Sequence, residues 1–197
     1  MGFNKIENKL FVNVSKGVFV YQEKEKDETT GKEGFVKKQD VSYTGTIERI
    51  YRKEDEFEGK KVKKIVVEMQ DNTSPTVAVI QFAEKGYYAL GFFDRIRKVD
   101  VFKPITLGVS GSKESEKMSF CWMRQFGEKE TVKKDDNFVK PRKIDADTTD
   151  WSACMDEYTE IINDINGKLT NSKPDAIHEE PKGKFSSSAE EIEELPF

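Results

Sequence analysis

The chain has 197 residues, 36% hydrophobic and 36% charged, a balance that leaves material for one modest core plus appendages. Its net charge of -4 is segregated: residues 1–144 hold 29 basic and 23 acidic side chains, 145–167 hold 7 acids and no base, and 168–197 hold 4 lysines and 7 acids. No run is apolar enough to span a bilayer, no signal-peptide core opens the chain, and Cys121 and Cys154 lack metal-ligand spacing, so a reduced, cytoplasmic protein without membrane contact is expected.

Residues 9–21 carry Leu10, Phe11, Val12, Val14, Val18, Phe19, Val20 and Tyr21, a strand pattern interrupted near Gly17. A charged mobile loop is expected over 23–34 and a short strand over 35–41. The pattern sharpens from Val41 onward. Residues 42–53 and 62–70 read as strands around a turn at 54–59, and 76–82 as a third strand after the turn Asp71-Asn72-Thr73-Ser74-Pro75. Over 85–99 the period changes, with Leu90, Phe93 and Ile96 on one helical stripe. Strands follow at 104–109 and 118–132, the second bulged at Gly127. A polar linker leads to a helix at 151–166, capped by Thr149 or Asp150 and closed by Gly167, with an apolar stripe through Cys154, Tyr158, Ile161 and Ile165. That stripe is expected to pack on the barrel or on a neighbouring subunit.

Three strands, a helix and two strands is the order of an OB-fold, a five-stranded Greek-key barrel that binds oligonucleotides across its second and third strands and adjoining loops. The expected organisation is thus mainly β: an N-terminal β extension (1–40), the barrel (41–134), a linker (135–150), an amphipathic helix (151–167) and a disordered acidic tail (168–197).

The residues offer little catalytic chemistry. The only histidine, His178, lies in the tail, no glycine-rich loop has phosphate-binding spacing, and Glu54-Asp55-Glu56 and Asp135-Asp136 read as solvated turns rather than metal ligands. A non-catalytic protein without cofactor or metal is expected. A single strand of nucleic acid needs cations for its phosphates and aromatic faces for its bases. Arg49, Tyr51, Arg52 and Lys53, then Phe57 at the hairpin tip, then Lys61, Lys63 and Lys64 supply both. Phe120, Trp122 and Arg124 add a period-two row on the last strand. That row is either the core face or the ligand face. An arginine in a small barrel interior needs a partner to offset its desolvation, which favours the outward placement. The lysines equally suit an edge strand guarded against aggregation.

The chain ends Glu190-Glu191-Ile192-Glu193-Glu194-Leu195-Pro196-Phe197 behind a serine-rich polar stretch with too little apolar surface to fold. A solubilising tail is the plain interpretation; a docking peptide whose ring enters another protein's basic-rimmed pocket is the sharper one. Together, the architecture of 41–134, the polar linker and this Pro-Phe ending resemble the bacterial and phage single-stranded DNA-binding proteins. The resemblance implies coating of single-stranded DNA in replication, recombination and repair, and recruitment of partner enzymes through Glu191, Glu193, Glu194, Leu195, Pro196 and Phe197. A homo-oligomer is compatible with it. Residues 1–40, the charged barrel loops, the helix before the tail and a linker poor in Gly and Gln depart from the bacterial pattern and suit a phage or mobile-element version. The alternative is an adaptor whose barrel binds protein and not DNA.

Overall fold

The computed structural model describes residues 8–26, 33–57, 59–112, 115 and 118–171. Within them the protein is mainly β: one eight-stranded sheet curls into a half-barrel and two helices pack on it. The strands are β1 (Asn8–Ser15), β2 (Val18–Lys26), β3 (Glu33–Asp40), β4 (Ser42–Phe57), β5 (Lys60–Asp71) and β6 (Thr76–Ala83). Helix α1 (Tyr87–Ile96) follows, then β7 (Ile105–Gly111) and β8 (Ser119–Gln125). A two-residue hairpin, β9 (Arg142–Lys143) with β10 (Thr149–Asp150), precedes α2 (Ser152–Asn171). No helix of the described residues is long and apolar enough to cross a membrane.

The break at Gly17 is a tight hairpin turn. Lys16 and Gly17 both have positive φ (50° and 76°), the primed geometry that matches the twist of two antiparallel strands. The three N-terminal strands are continuous with the main sheet, whose order is β3-β2-β1-β6-β5-β4-β7-β8. β1 pairs with β6 in parallel, and every other neighbour is antiparallel. The sheet curls far enough for the Gly17 N–H to donate to Ser119 Oγ at 2.9 Å, and a Cβ on Gly17 would overlap the backbone of Gly111. Val12 and Phe19 accordingly sit in the same core as Ile65, Ile80 and Leu107.

β4 changes face partway along. A bulge between Ile47 and Arg49 inserts Glu48, so Ile47 points inward while Arg49 and Tyr51 turn outward, and Ile50 and Arg52 take the inner side. β7 pairs with β4 only over Ser42–Gly45. Beyond that, α2 covers the free edge: the Asn166 side chain accepts from the Ile50 N–H (3.1 Å) and donates to the Ile50 carbonyl (2.7 Å), replacing a strand partner.

Several sequence expectations need correction. The turn expected at 54–59 is shorter, because β4 runs to Phe57 and β5 starts at Lys60. The fifth barrel strand ends at Gln125 and does not run to Val132. Gly127 (φ 87°) turns the chain, which then returns along β8 with the Val132 N–H on the Met123 carbonyl at 2.8 Å. Helix α2 continues through Gly167 to Asn171 because Leu169 extends its buried stripe. The segment expected as a plain linker is anchored too. Phe138 is 5% exposed and lies parallel to Tyr158 at 6.3 Å, while Tyr158 stacks on Phe93 at 4.0 Å. Each such ring contributes about 2–3 kcal/mol through apolar burial, which holds both helices to the sheet. The Trp151 carbonyl accepts the first helical bond of α2 from the Met155 N–H at 2.9 Å, and Asp150, one residue earlier, accepts from the Ser152 N–H at 2.9 Å through its Oδ1. The loop expected over 23–34 is narrower than that: residues 23–26 belong to β2 and 33–34 to β3, whose register pairs Glu23 with Val36 and Glu25 with Gly34, while 27–32, like the acidic tail beyond Asn171, lie outside the described residues.

Candidate nucleic-acid interface

Alternation along β8 puts Cys121 (5% exposed) and Met123 (0%) in the core and leaves Phe120, Trp122 and Arg124 half-buried on the outer face. Trp122 stands opposite Gly108 of β7 and lies flat on it. A Cβ there would overlap the indole, so glycine is what lets the ring rest on the sheet. The Arg124 guanidinium sits 5.8 Å from the Trp122 ring, and its Nε is buried without an acceptor. Arg124 has no ion pair among the described residues, and its charge lies beside an aromatic face.

Phe120 meets Tyr87, the first residue of α1, with ring centroids 5.7 Å apart. Together with Trp122 they line a cleft of about 390 Å³ between α1, β8 and the 134–140 segment, whose charged lining is mixed: Arg95, Lys134 and Lys140 with Asp94, Asp135 and Asp136. Nothing in the sequence placed Tyr87, Lys134 or Lys140 here. Tyr87 reads as the start of an amphipathic helix, and a polar segment without periodicity carries no signal of what it lies against. The segment is fixed by Arg95, whose Nε donates to the Val132 carbonyl (3.2 Å), by Lys98 on the Lys134 carbonyl (2.8 Å), and by the Asp135 N–H on Asp94.

A second aromatic–cation pair lies farther along the same outer face. Arg49 is 4.8 Å over the Tyr51 ring, and the Tyr51 hydroxyl donates to Glu68 Oε1 at 3.1 Å. Burial, with help from Glu68, raises the pKa of that phenol. Seven residues of β4 separate Tyr51 from Thr44, which stands in the cross-strand row of Arg124 through Thr106. At about 3.3 Å per residue the two pairs are on the order of 20 Å apart.

The remaining basic residues divide by face. Lys53 and Lys64 are cross-strand neighbours that share Asp55 at 2.8 and 2.9 Å, which holds its carboxyl below the usual range. Lys61 pairs with Glu54 at 2.8 Å, and Lys63 flanks a groove with Arg52 and Glu84 on the other side of the sheet. Arg52 is a strut between the sheet and α2. Its Nε meets Glu84 Oε1 at 2.6 Å, and its two terminal nitrogens donate to Thr159 Oγ1 (2.6 Å) and the Met155 carbonyl (2.7 Å) of α2. Phe57 ends β4 opposite Lys60. The side chain of Phe57 and the residues Glu191 to Phe197 lie outside the described part of the chain.

The structure therefore brings Phe120, Trp122 and Arg124 together, sets Arg49 and Tyr51 apart from them on one face, and turns Arg52, Lys61 and Lys63 to the other. Such an outer face can stack planar rings and neutralise anions. Among the described residues no three carboxylate, histidine or cysteine side chains converge on a point that would hold a metal ion. Comparison with protein families, with curated proteins and with solved structures yields no significant match for this chain.

Proposed function

We propose that the protein is a non-catalytic, cytoplasmic single-stranded DNA-binding protein that coats DNA during replication, recombination or repair. Its barrel is read as an OB-fold. In support, β4 pairs with both β5 and β7, β6 follows β5, and α1 stands between β6 and β7, which is the connectivity expected of five such strands. β1 occupies the far side of β6, where the closing strand of such a barrel would lie.

The observation that carries the proposal is the outward Trp122–Arg124 pair with Phe120 and Tyr87 beside it. Bases stack on exposed rings whatever their sequence, and neighbouring guanidinium and ammonium groups meet the phosphates. Arg49 and Tyr51 provide a second contact for the same strand, and Lys53 and Lys64 lie beside them once phosphate competes with Asp55. The acidic ending, Glu191, Glu193, Glu194, Leu195, Pro196 and Phe197, is read as a dock for replication or repair enzymes.

Titration of fluorescent oligo-dT against duplex of equal length, at two salt concentrations, tests the central claim. Single strands should bind more tightly, with affinity falling as salt rises. Equal affinity for both forms ends the coating model, and no binding to either favours the protein adaptor. Deletion of Leu195 to Phe197 should leave DNA affinity level or slightly raised and abolish capture of partner enzymes from host lysate. Unchanged capture reduces the ending to a solubilising tail.

A further inference from the structure

The two ends of the sheet are finished differently. The edge of β8 is covered by the returning chain at Val132, whereas no described segment pairs with the outer edge of β3. Most of β3 is exposed; Phe35 (68%) is the most exposed large apolar side chain of the described residues, and its neighbour Val36 (42%) is exposed as well. Natural edges are usually guarded by charge, and Lys37 and Lys38 fit that habit, but an exposed phenylalanine in mid-edge runs against it.

The order of residues along this edge is self-complementary. Phe35 stands opposite Lys24 and Lys37 opposite Gln22, so Glu33, Phe35 and Lys37 share one face of the strand. Glu33 and Lys37 form no ion pair among the described residues, in contrast to Lys38, which bridges Glu23 and Glu25 at 2.6 Å. Four residues apart on a strand, Glu33 and Lys37 are about 13 Å from each other and cannot meet within one chain.

We propose that β3 is a dimerisation edge whose occupant is β3 of a second copy, antiparallel about a two-fold axis through Phe35. In that register Phe35 faces its own counterpart. Glu33 of each copy faces Lys37 of the other, giving two symmetry-related ion pairs flanking the ring pair. On the opposite face Gly34 meets Val36, a small side against a branched one. The axis is perpendicular to the sheet, so the outer face of one copy runs into the outer face of the other and two half-barrels become one continuous surface. A closed, isologous contact of this kind produces dimers and not fibres. The proposal stands independently of DNA binding.

Sedimentation of the full chain from about 1 µM to 1 mM, with Glu33→Lys, Lys37→Glu and the double exchange, provides the test. The native chain should dimerise with rising concentration. Each single exchange turns two attractive cross-strand pairs repulsive and should raise the dimer Kd by roughly tenfold to a hundredfold. The double exchange restores both pairs and should return Kd to near the native value. Thermal melts of all four proteins check that the exposed strand tolerates the changes. A native chain that stays monomeric would leave the edge to an extended segment of a different protein and overturn the proposal. So would single variants that associate normally, or a double variant no better than the singles.

Discussion

Removing the Arg52 side chain tests whether this residue holds the fold or touches a ligand. Glu84 is 6% exposed and its carboxylate meets the Arg52 Nε at 2.6 Å, while the same guanidinium ties Thr159 and Met155 of α2 to the barrel. Deleting one partner of a buried ion pair costs about 3–5 kcal/mol, because the other charge is left desolvated. Arg52 itself is 35% exposed, so water reaches part of the gap, and the lower value of about 2–3 kcal/mol is expected for Arg52→Ala. For a chain of this size that corresponds to a fall in Tm of roughly 4–12 °C. Urea unfolding followed by far-ultraviolet circular dichroism measures it. In a Glu84→Gln background the orphaned charge is absent, so Arg52→Ala should cost at least about 1 kcal/mol less. Oligo-dT affinity per folded molecule should hardly change. A Tm within 2 °C of the native value, combined with a tenfold loss of DNA affinity (roughly 1.4 kcal/mol), would show the strut assignment to be wrong.

Trp122→Ala and Tyr51→Ala should each weaken oligo-dT binding by about 1–3 kcal/mol, and Trp122→Ala should leave Tm close to native; a collapse of the fold instead would identify the ring as core. Gly108→Ala should act like Trp122→Ala by displacing the indole from the sheet, which fluorescence in a Trp151→Phe background would detect as a shift in emission. Burial pushes the Cys121 thiol up to about 12 and raises Cys154 as well, so both should react slowly with a thiol reagent at pH 8 in the native protein and promptly after unfolding. Fast native reaction of Cys121 would contradict the packing of α1 on β8, and of Cys154 the packing of α2 on the segment at Val139. The Asp71 carboxylate, lowered by the hydroxyl and N–H of Thr73, adds stability above the ordinary value near about 3.9 and loses it as pH falls through its lower folded value; Asp71→Asn should flatten the acid limb of a stability–pH curve.

The local elements were legible because local chemistry determines them. β5 and β6 alternate β-branched residues between turns, and the spacing of Leu90, Phe93 and Ile96 marks α1. Positions decided by distant partners were not. Parity counted from Ile47 puts Arg49 and Tyr51 on the core side, and only the Glu48 bulge turns them out. Arg52 looks like one more cation in a basic run, since its acceptors lie 32 residues and more than 100 residues away. Phe138 sits in a polar stretch whose burial depends on Tyr158, and the cleft beside Trp122 exists only because that stretch folds back over α1. The outward row of β8 was accessible to a desolvation argument, whereas the glycine beneath Trp122 required knowing the cross-strand register.

The parallel pairing of β1 with β6 sets an order of events during folding. β4, β5 and β6 form an antiparallel meander closed by short turns, so its contacts are made at little cost in chain entropy. β1 has no such route. It must bring Asn8 alongside Thr76 and Asn13 alongside Gln81, spans of 68 residues, after the strand it docks on exists. Non-local pairing of this sort is slow, and until it occurs β6 exposes an apolar edge, Val77-Ala78-Val79-Ile80, to any other unfinished chain. During synthesis the N-terminal strands emerge first yet wait for β6, so the interval before docking is when aggregation competes with folding. Removing β1 should convert a refolding protein into a precipitating one.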